Sequence, residues 1–217
     1  MIVAMGGASL RPEDYDPRMG DFVLSLARSG RPRVCFVPTA SGDSPDYVAN
    51  FYRVFSAHHD CSVADLRSFV LGQDVVYVGG GNTASLLAVW RAHRLADVLR
   101  EAWEQGVELC GVSAGMNCWF EGSTTDSFDL TRLAALPDGL GLLPGSCCPH
   151  YDGEEQRRPL YTRLVAEGVL APGYAADDAA ALVFEGTELR EVVTTEEGSG
   201  AYRVDVGSEE PLAARLL

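Results

Sequence analysis

One serine in the chain stands where a nucleophile can be made. Ser113 lies in Gly111-Val112-Ser113-Ala114-Gly115, after the apolar run Leu109-Cys110-Gly111-Val112 and before a short helical segment. A serine hydroxyl is a weak nucleophile; a sharp strand-to-helix turn exposes it to a base, and the helix start aims N–H groups at it. The flanking glycines allow that turn without steric clash. A glycine-rich helix cap with an incidental serine would look similar. The strand before and the helix after favour the nucleophile, and with it the acyl-transfer chemistry of a serine hydrolase.

Such a serine needs a histidine base, and the chain has 4 histidines. His58 and His59 fall at a helix end and His93 in the joint between two helices, positions typical of solvated residues. His150 sits in Cys147-Cys148-Pro149-His150-Tyr151, after a short strand and off any amphipathic face, and elimination selects it as the base. An oxyanion hole needs backbone N–H groups beside the nucleophile. Ala114 supplies one by position, and the loop Gly79-Gly80-Gly81-Asn82 would supply the second. That loop could also hold a phosphate, but it lacks the GxGxxG or Walker spacing. For the acid that orients the imidazole, Asp126, Asp152, Asp178 and Glu185 are candidates. Asp178 is favoured, because it lies between the strand Gly173–Ala176 and the strand expected over 180–184. Asp126, in Thr124-Thr125-Asp126-Ser127, reads as a loop-holding or substrate-holding group.

The elements that must position these residues alternate. Val34–Val37, Val75–Val78 and 109–112 read as buried strands, each running into a glycine or polar loop. The opening Met1-Ile2-Val3-Ala4-Met5-Gly6-Gly7 reads as a short buried strand entering a glycine turn. Helical spacing covers 19–27, 45–57, 84–90, 95–105 and Arg157–Ala166. Strands buried on both faces and alternating with helices predict a parallel sheet covered on each side, with the site beyond the carboxyl ends of its strands. Near the C-terminus, 180–184, Glu188–Thr194 and 201–206 are separated by Glu185-Gly186-Thr187 and Glu197-Gly198-Ser199-Gly200. These are hairpin signals, so the sheet is expected to finish with antiparallel strands. The expected fold class is α/β, a three-layer sandwich with a mostly parallel sheet, forming one domain over 1–217.

Composition excludes several function classes. The net charge of −14 opposes a nucleic-acid partner. All 17 basic residues are arginine, so there is no lysine for a Schiff base, a pyridoxal phosphate anchor or a P-loop. The 6 cysteines lack zinc-ligand spacing and read as reduced, packed thiols. No apolar run reaches the roughly 18–20 residues of a membrane span, and the first residues do not resemble a signal peptide. The expectation is a cytoplasmic protein, monomeric or homodimeric, needing no cofactor or metal and acting on a small peptide substrate.

Three ordered blocks carry a resemblance: Gly79-Gly80-Gly81-Asn82-Thr83, Gly111-Val112-Ser113-Ala114-Gly115-Met116-Asn117 and Pro149-His150-Tyr151. Ser113 follows Gly81 by 32 residues and His150 follows Ser113 by 37. In these blocks and their spacing the chain resembles the peptidase E family of α-aspartyl dipeptidases, to which cyanophycinases are related. The resemblance implies a class I glutamine-amidotransferase-like (flavodoxin-like) fold with serine in place of cysteine. It also implies a triad in the order nucleophile, histidine, acid, with Asp178 matching the family's acid. Gly81 and Ala114 would be the oxyanion donors, and Asn82, Asp126, Tyr151, Arg157 and Arg158 the secondary or substrate-side residues. Members with aspartyl specificity carry basic residues after the histidine. Here Asp152, Glu154 and Glu155 precede Arg157 and Arg158, so the implied substrates are dipeptides or short peptides rather than strictly aspartyl ones.

Two other readings share some of these features. An α/β-hydrolase esterase has the same elbow, but its histidine comes after the acid and late in the chain; no histidine follows His150. A catalytically silent binding or sensor protein of the same fold would keep the pocket without the full set of reactive groups.

Overall fold

The computed structural model describes the chain apart from residues 8, 10, 12, 13, 28–31, 33, 43 and 56–65. His58, His59 and Cys61 lie outside the described residues, as do the last two residues of the helix expected over 45–57. The first sheet is built on four parallel strands, β1 (Ile2–Met5), β2 (Val34–Val37), β3 (Val75–Val78) and β4 (Glu108–Val112). They lie side by side in the order β1-β4-β3-β2, with Met5 opposite Val112 and Val78 opposite Gly111.

Their continuous apolar runs follow from burial on both faces. Along β1, Ile2 and Ala4 join one core cluster and Val3 and Met5 another; along β3, Val76 and Val78 divide from Val75 and Tyr77 in the same way. Successive side chains on a strand point to opposite faces, so each strand feeds two cores. One face is covered by α4 (Thr83–Ala92) and α5 (Leu95–Glu104) through Leu86, Leu87, Trp90 and Leu99. The other is covered by α1 (Pro17–Ser25) through Met19, Val23 and Leu24, and by α2 (Pro45–Phe55) through Phe51. The helix α3 (Leu66–Leu71) precedes β3.

Local capping explains where helices begin. Asp16 accepts the Arg18 N–H at 2.9 Å with Pro17 in the first turn of α1, and Asn82 accepts the Ser85 N–H at 2.8 Å at the start of α4. The helix after Ser113, α6 (Ala114–Asn117), is only 4 residues long.

After α6 the chain leaves the first sheet. It builds a second one from β5 (Phe120–Thr125), β6 (Ala134–Leu136), β7 (Leu143–Cys148) and β8 (Gly173–Ala176), with α7 (Arg157–Ala166) between β7 and β8. Then β9 (Ala180–Glu185) and β10 (Glu188–Thr194) return to the first sheet, β9 antiparallel to β1. Next, β11 (Ala201–Asp205) and β12 (Ser208–Leu212) extend the second sheet, and β13 (Ala214–Leu216) lies parallel to β10.

The expectation of one mostly parallel sheet is therefore corrected to two mixed sheets with helices. The hairpin read at Glu185-Gly186-Thr187 joins β9 to β10. The segment Glu197-Gly198-Ser199-Gly200 instead crosses from one sheet to the other. The Gly200 N–H is taken by Asp177 Oδ2 at 2.9 Å, and Ala201 then pairs with Ala176 on β8. A flexible glycine link serves a hairpin or a crossover equally, and long-range pairing decides which. Trp119, Phe120, Leu143 and Cys147 share a core cluster with Ile2, Val76 and Leu109, so the second sheet packs into the first sheet's core. Cys110, Cys118, Cys147 and Cys148 are buried free thiols, and Cys35 is buried as well. Among the described residues no helix is long and apolar enough to cross a membrane.

Candidate active site

Ser113 follows the last residue of β4 and caps α6 with φ 58° and ψ −110°. That left-handed backbone is rare for a residue with a side chain and stores strain at the turn. The neighbours enforce it. A Cβ on Gly111 would lie 2.3 Å from the Gly115 carbonyl oxygen, and one on Gly115 would lie 2.2 Å from that of Val78. The Ser113 N–H donates to the Met5 carbonyl at 3.2 Å, which ties the Ser113 turn to the exit of β1.

His150 follows β7 by two residues and is also left-handed, with φ 53°. Its Nδ1 lies 2.7 Å from Asp178 Oδ1. Asp178 stands between β8 and β9, and the next residue, Ala179, has φ 64°. Of the four described non-glycine residues with positive φ, three belong to or adjoin this group; the fourth is Arg94. The hydrogen bond to His150, with a weaker contribution from the histidine's charge, holds the Asp178 carboxyl below its ordinary value against an opposing desolvation effect. Asp178 therefore stays ionised and can fix one imidazole tautomer.

Two residues hold the Asp178 loop in place. The Asp178 N–H donates to Asp152 Oδ1 at 2.9 Å. Gly7, just past β1, bridges to Asp178 and accepts the Ala179 N–H at 3.2 Å. A Cβ on Gly7 would fall 1.9 Å from Asp178 Oδ1 and 3.0 Å from His150 Cε1. Gly7 is thus the close approach that lets the His150–Asp178 pair sit over the exit of β1, the strand whose last carbonyl accepts the Ser113 N–H. Sequence reasoning missed its role, although a glycine turn after a buried parallel strand falls at the carboxyl end, where sites form. Asp152, also weighed as the acid, spends Oδ1 on the Asp178 N–H.

The other candidates lie as follows. Asn82 is occupied within the fold, accepting the Ser85 N–H and donating its Nδ2 to the Ser127 carbonyl at 2.8 Å. Asp126 follows β5 and lines a separate cavity of about 240 Å³ with Leu130, Arg132 and Glu154. Glu185 ends β9, exposed, and pairs with Arg190. Tyr151 is 2% exposed and donates its hydroxyl to Glu209. Arg157 is 4% exposed and forks onto Glu154 at 2.8 and 3.1 Å. Arg158 lies over the rings of Tyr151 and Tyr202, at 5.3 and 4.8 Å, and pairs with Glu209. Both arginines that a basic substrate pocket would use are bound to carboxylates of the chain itself. A cavity of about 390 Å³ adjoins His150 and Asp178, lined also by Met5, Tyr15, Met19 and Tyr77.

The model of peptidase family S51 matches residues 2–192. The chain belongs to this family. Among its relatives, the uncharacterized peptidase YgaJ of Bacillus subtilis is 45% identical over 231 residues, covering 100% of this chain and 98% of its own. Peptidase E of Pasteurella multocida is 29% identical over 210 residues, covering 87% of each chain. Among solved structures, a peptidase from an acI-B1 actinobacterium matches 98% of this chain and 93% of its own, with a TM-score of 0.72 at 16% identity. At that identity the likeness speaks for the fold. The resemblance to peptidase E seen in the three motif blocks thus extends over 87% of the chain in the Pasteurella relative.

Proposed function

We propose that this S51 protein is a serine peptidase that hydrolyses dipeptides or short peptides through Ser113, His150 and Asp178. The observation that carries the reading is the 2.7 Å His150–Asp178 contact, set beside the same strand exit that anchors the strained Ser113 turn. In the proposed reaction Ser113 Oγ attacks the scissile carbonyl carbon and His150 Nε2 takes its proton. Asp178 accepts the Nδ1–H bond and stabilises the imidazolium. The oxyanion is met by the N–H groups of Gly81 and Ala114, neither of which has an acceptor among the described residues. His150 then protonates the leaving amine, and the C–N bond breaks to give an acyl-enzyme. Water, activated by the same histidine, attacks the ester, releasing the acid and restoring Ser113.

The finer fold reading is a class I glutamine-amidotransferase-like arrangement with serine as nucleophile. Its support is the parallel β1-β4-β3-β2 core with the nucleophile at the end of β4. A substrate range broader than aspartyl peptides is supported by the engagement of Arg157 and Arg158 with Glu154 and Glu209. A cavity of about 390 Å³ beside the dyad is of small-ligand size, within the roughly 300–1,000 Å³ common for such sites. Four buried free thiols, Cys110, Cys118, Cys147 and Cys148, suit a reducing cytoplasm. The test is digestion of a mixed dipeptide and short-peptide library by wild type and Ser113→Ala, with fluorophosphonate labelling of each. Turnover should fall by about 10⁴–10⁶ and labelling should vanish. A folded Ser113→Ala protein that still cleaves would end the serine mechanism.

A further inference from the structure

The loop after β3 contains three successive glycines, the residues with the least backbone restriction, yet an oxyanion hole needs one N–H held in one direction. The structure shows which N–H groups of the loop are engaged. Gly79 donates to the Val37 carbonyl at 3.2 Å, and Asn82 to the Ala40 carbonyl at 2.5 Å. Gly80 donates to the hydroxyl oxygen of Tyr47 at 3.2 Å. Gly81 has no acceptor among the described residues. Its φ of 136° is open only to glycine, and a Cβ there would lie 2.0 Å from the Ala40 carbonyl oxygen.

Gly80 lies close to Ser113: a Cβ on it would sit 3.3 Å from Ser113 Cβ and 3.8 Å from Ser113 Oγ. With its N–H committed to Tyr47, it is Gly81 that remains to meet a substrate oxygen. Tyr47 lies in the first turn of α2, its ring edge-on to Phe36 with centroids 5.4 Å apart, and a Cβ on Gly79 would lie 3.0 Å from Tyr47 Cε1. One turn later, Phe51 stacks on Phe36 at 4.0 Å and fixes the helix to the sheet. Burial pushes the Tyr47 hydroxyl's pKa up, so it remains a neutral acceptor.

We propose that Tyr47 is a positioning residue of the oxyanion hole: its hydroxyl takes the Gly80 N–H and thereby leaves Gly81 as the donor presented to the reacting carbonyl. The inference rests on the serine-peptidase reading of this site. Without the hydroxyl, the Gly80 N–H loses its partner and the Gly80-Gly81 peptide planes can turn, so only part of the population presents a correctly set hole. The oxyanion forms on the way to the transition state, so the loss appears in kcat rather than KM.

The experiment compares Tyr47→Phe, which removes the hydroxyl and keeps the ring, with Phe51→Leu, which loosens α2 and keeps the hydroxyl. Removing a whole oxyanion donor costs about 10²–10³ in kcat. Tyr47→Phe leaves the donor but frees its orientation, so kcat should fall by roughly 10-fold or more with KM within about two-fold. Affinity for a peptidyl boronic acid, which mimics the tetrahedral state, should fall in parallel, and Gly80 amide hydrogen exchange should quicken. Phe51→Leu should lower Tm and leave kcat within about two-fold. The inference is overturned if Tyr47→Phe keeps wild-type kcat, or if Phe51→Leu reproduces its loss, in a wild-type background that turns over peptide and labels at Ser113. A wild type that does neither defeats the serine-peptidase reading itself, and the role of Tyr47 falls with it.

Discussion

Asp178→Asn tests the site most sharply, because the structure keeps the backbone still while the chemistry changes. The residue's N–H is held by Asp152 Oδ1 at 2.9 Å, and the next N–H by the Gly7 carbonyl at 3.2 Å; neither bond uses the Asp178 side chain. What changes is the 2.7 Å contact to His150 Nδ1. An asparagine can turn its amide N–H toward Nδ1, which places the imidazole proton on the nitrogen that should accept from Ser113. In a fully buried triad such a change costs about 10⁴ in kcat. Asp178 is 51% exposed at its side chain, so water can partly restore the tautomer balance and the imidazolium. The expected loss is therefore about 10²–10⁴. The assay is paired: kcat and KM for Asp178→Asn and Asp126→Asn on the best library peptide, with the rate of fluorophosphonate labelling at Ser113. Asp126→Asn should change turnover by less than about 10-fold, since Asp126 lines the other cavity. If Asp126→Asn is the more damaging and Asp178→Asn is nearly silent, the assignment of the acid is wrong, although Ser113 and His150 survive it.

Three further outcomes are expected. Gly7→Ala places a methyl 1.9 Å from Asp178 Oδ1; displacement of the dyad by about 1 Å should cost about 10²-fold in turnover, and wild-type kinetics would remove Gly7 from the site. Arg158→Ala removes ring contacts to Tyr151 and Tyr202 and a half-exposed ion pair to Glu209. It should cost about 1 kcal/mol of stability, read by urea denaturation, without changing KM for acidic against neutral peptides; a selective rise for acidic peptides would show the arginine reading substrate. The Asp178 carboxyl is held below its unfolded value of 3.8, so its contribution to stability is full above that value and is lost as pH falls through the lowered folded value. The Tm difference between wild type and Asp178→Asn should therefore be level at neutral pH and close in acid; a difference that grows in acid would contradict the direction of the shift.

The residues themselves determined what is local. The elbow around Ser113 was legible because strand, glycine, serine and glycine in that order leave the backbone one steric solution, seen as φ 58° with no room for a Cβ on either flank. The strands Val34–Val37 and Val75–Val78 were legible because burial on both faces demands unbroken apolar runs. The helices α4 and α5 were legible from apolar spacing and from breaks at their ends. Which strands pair, and which carboxylate meets His150, depended on contacts between distant parts of the chain. Asp126, Asp152, Asp178 and Glu185 are alike in type and each is placed near a strand end. Only the antiparallel docking of β9 on β1, and the bridge from Gly7 to Asp178, bring one of them to the imidazole. The same holds for the glycine link 197–200, which hydrogen bonds to Asp177 turned into a crossover, and for Tyr47, whose hydroxyl meets Gly80 across 33 residues. Sterics and periodicity act over a few residues and can be read along the chain. A hydrogen bond between remote groups exists only once packing has brought the two ends together.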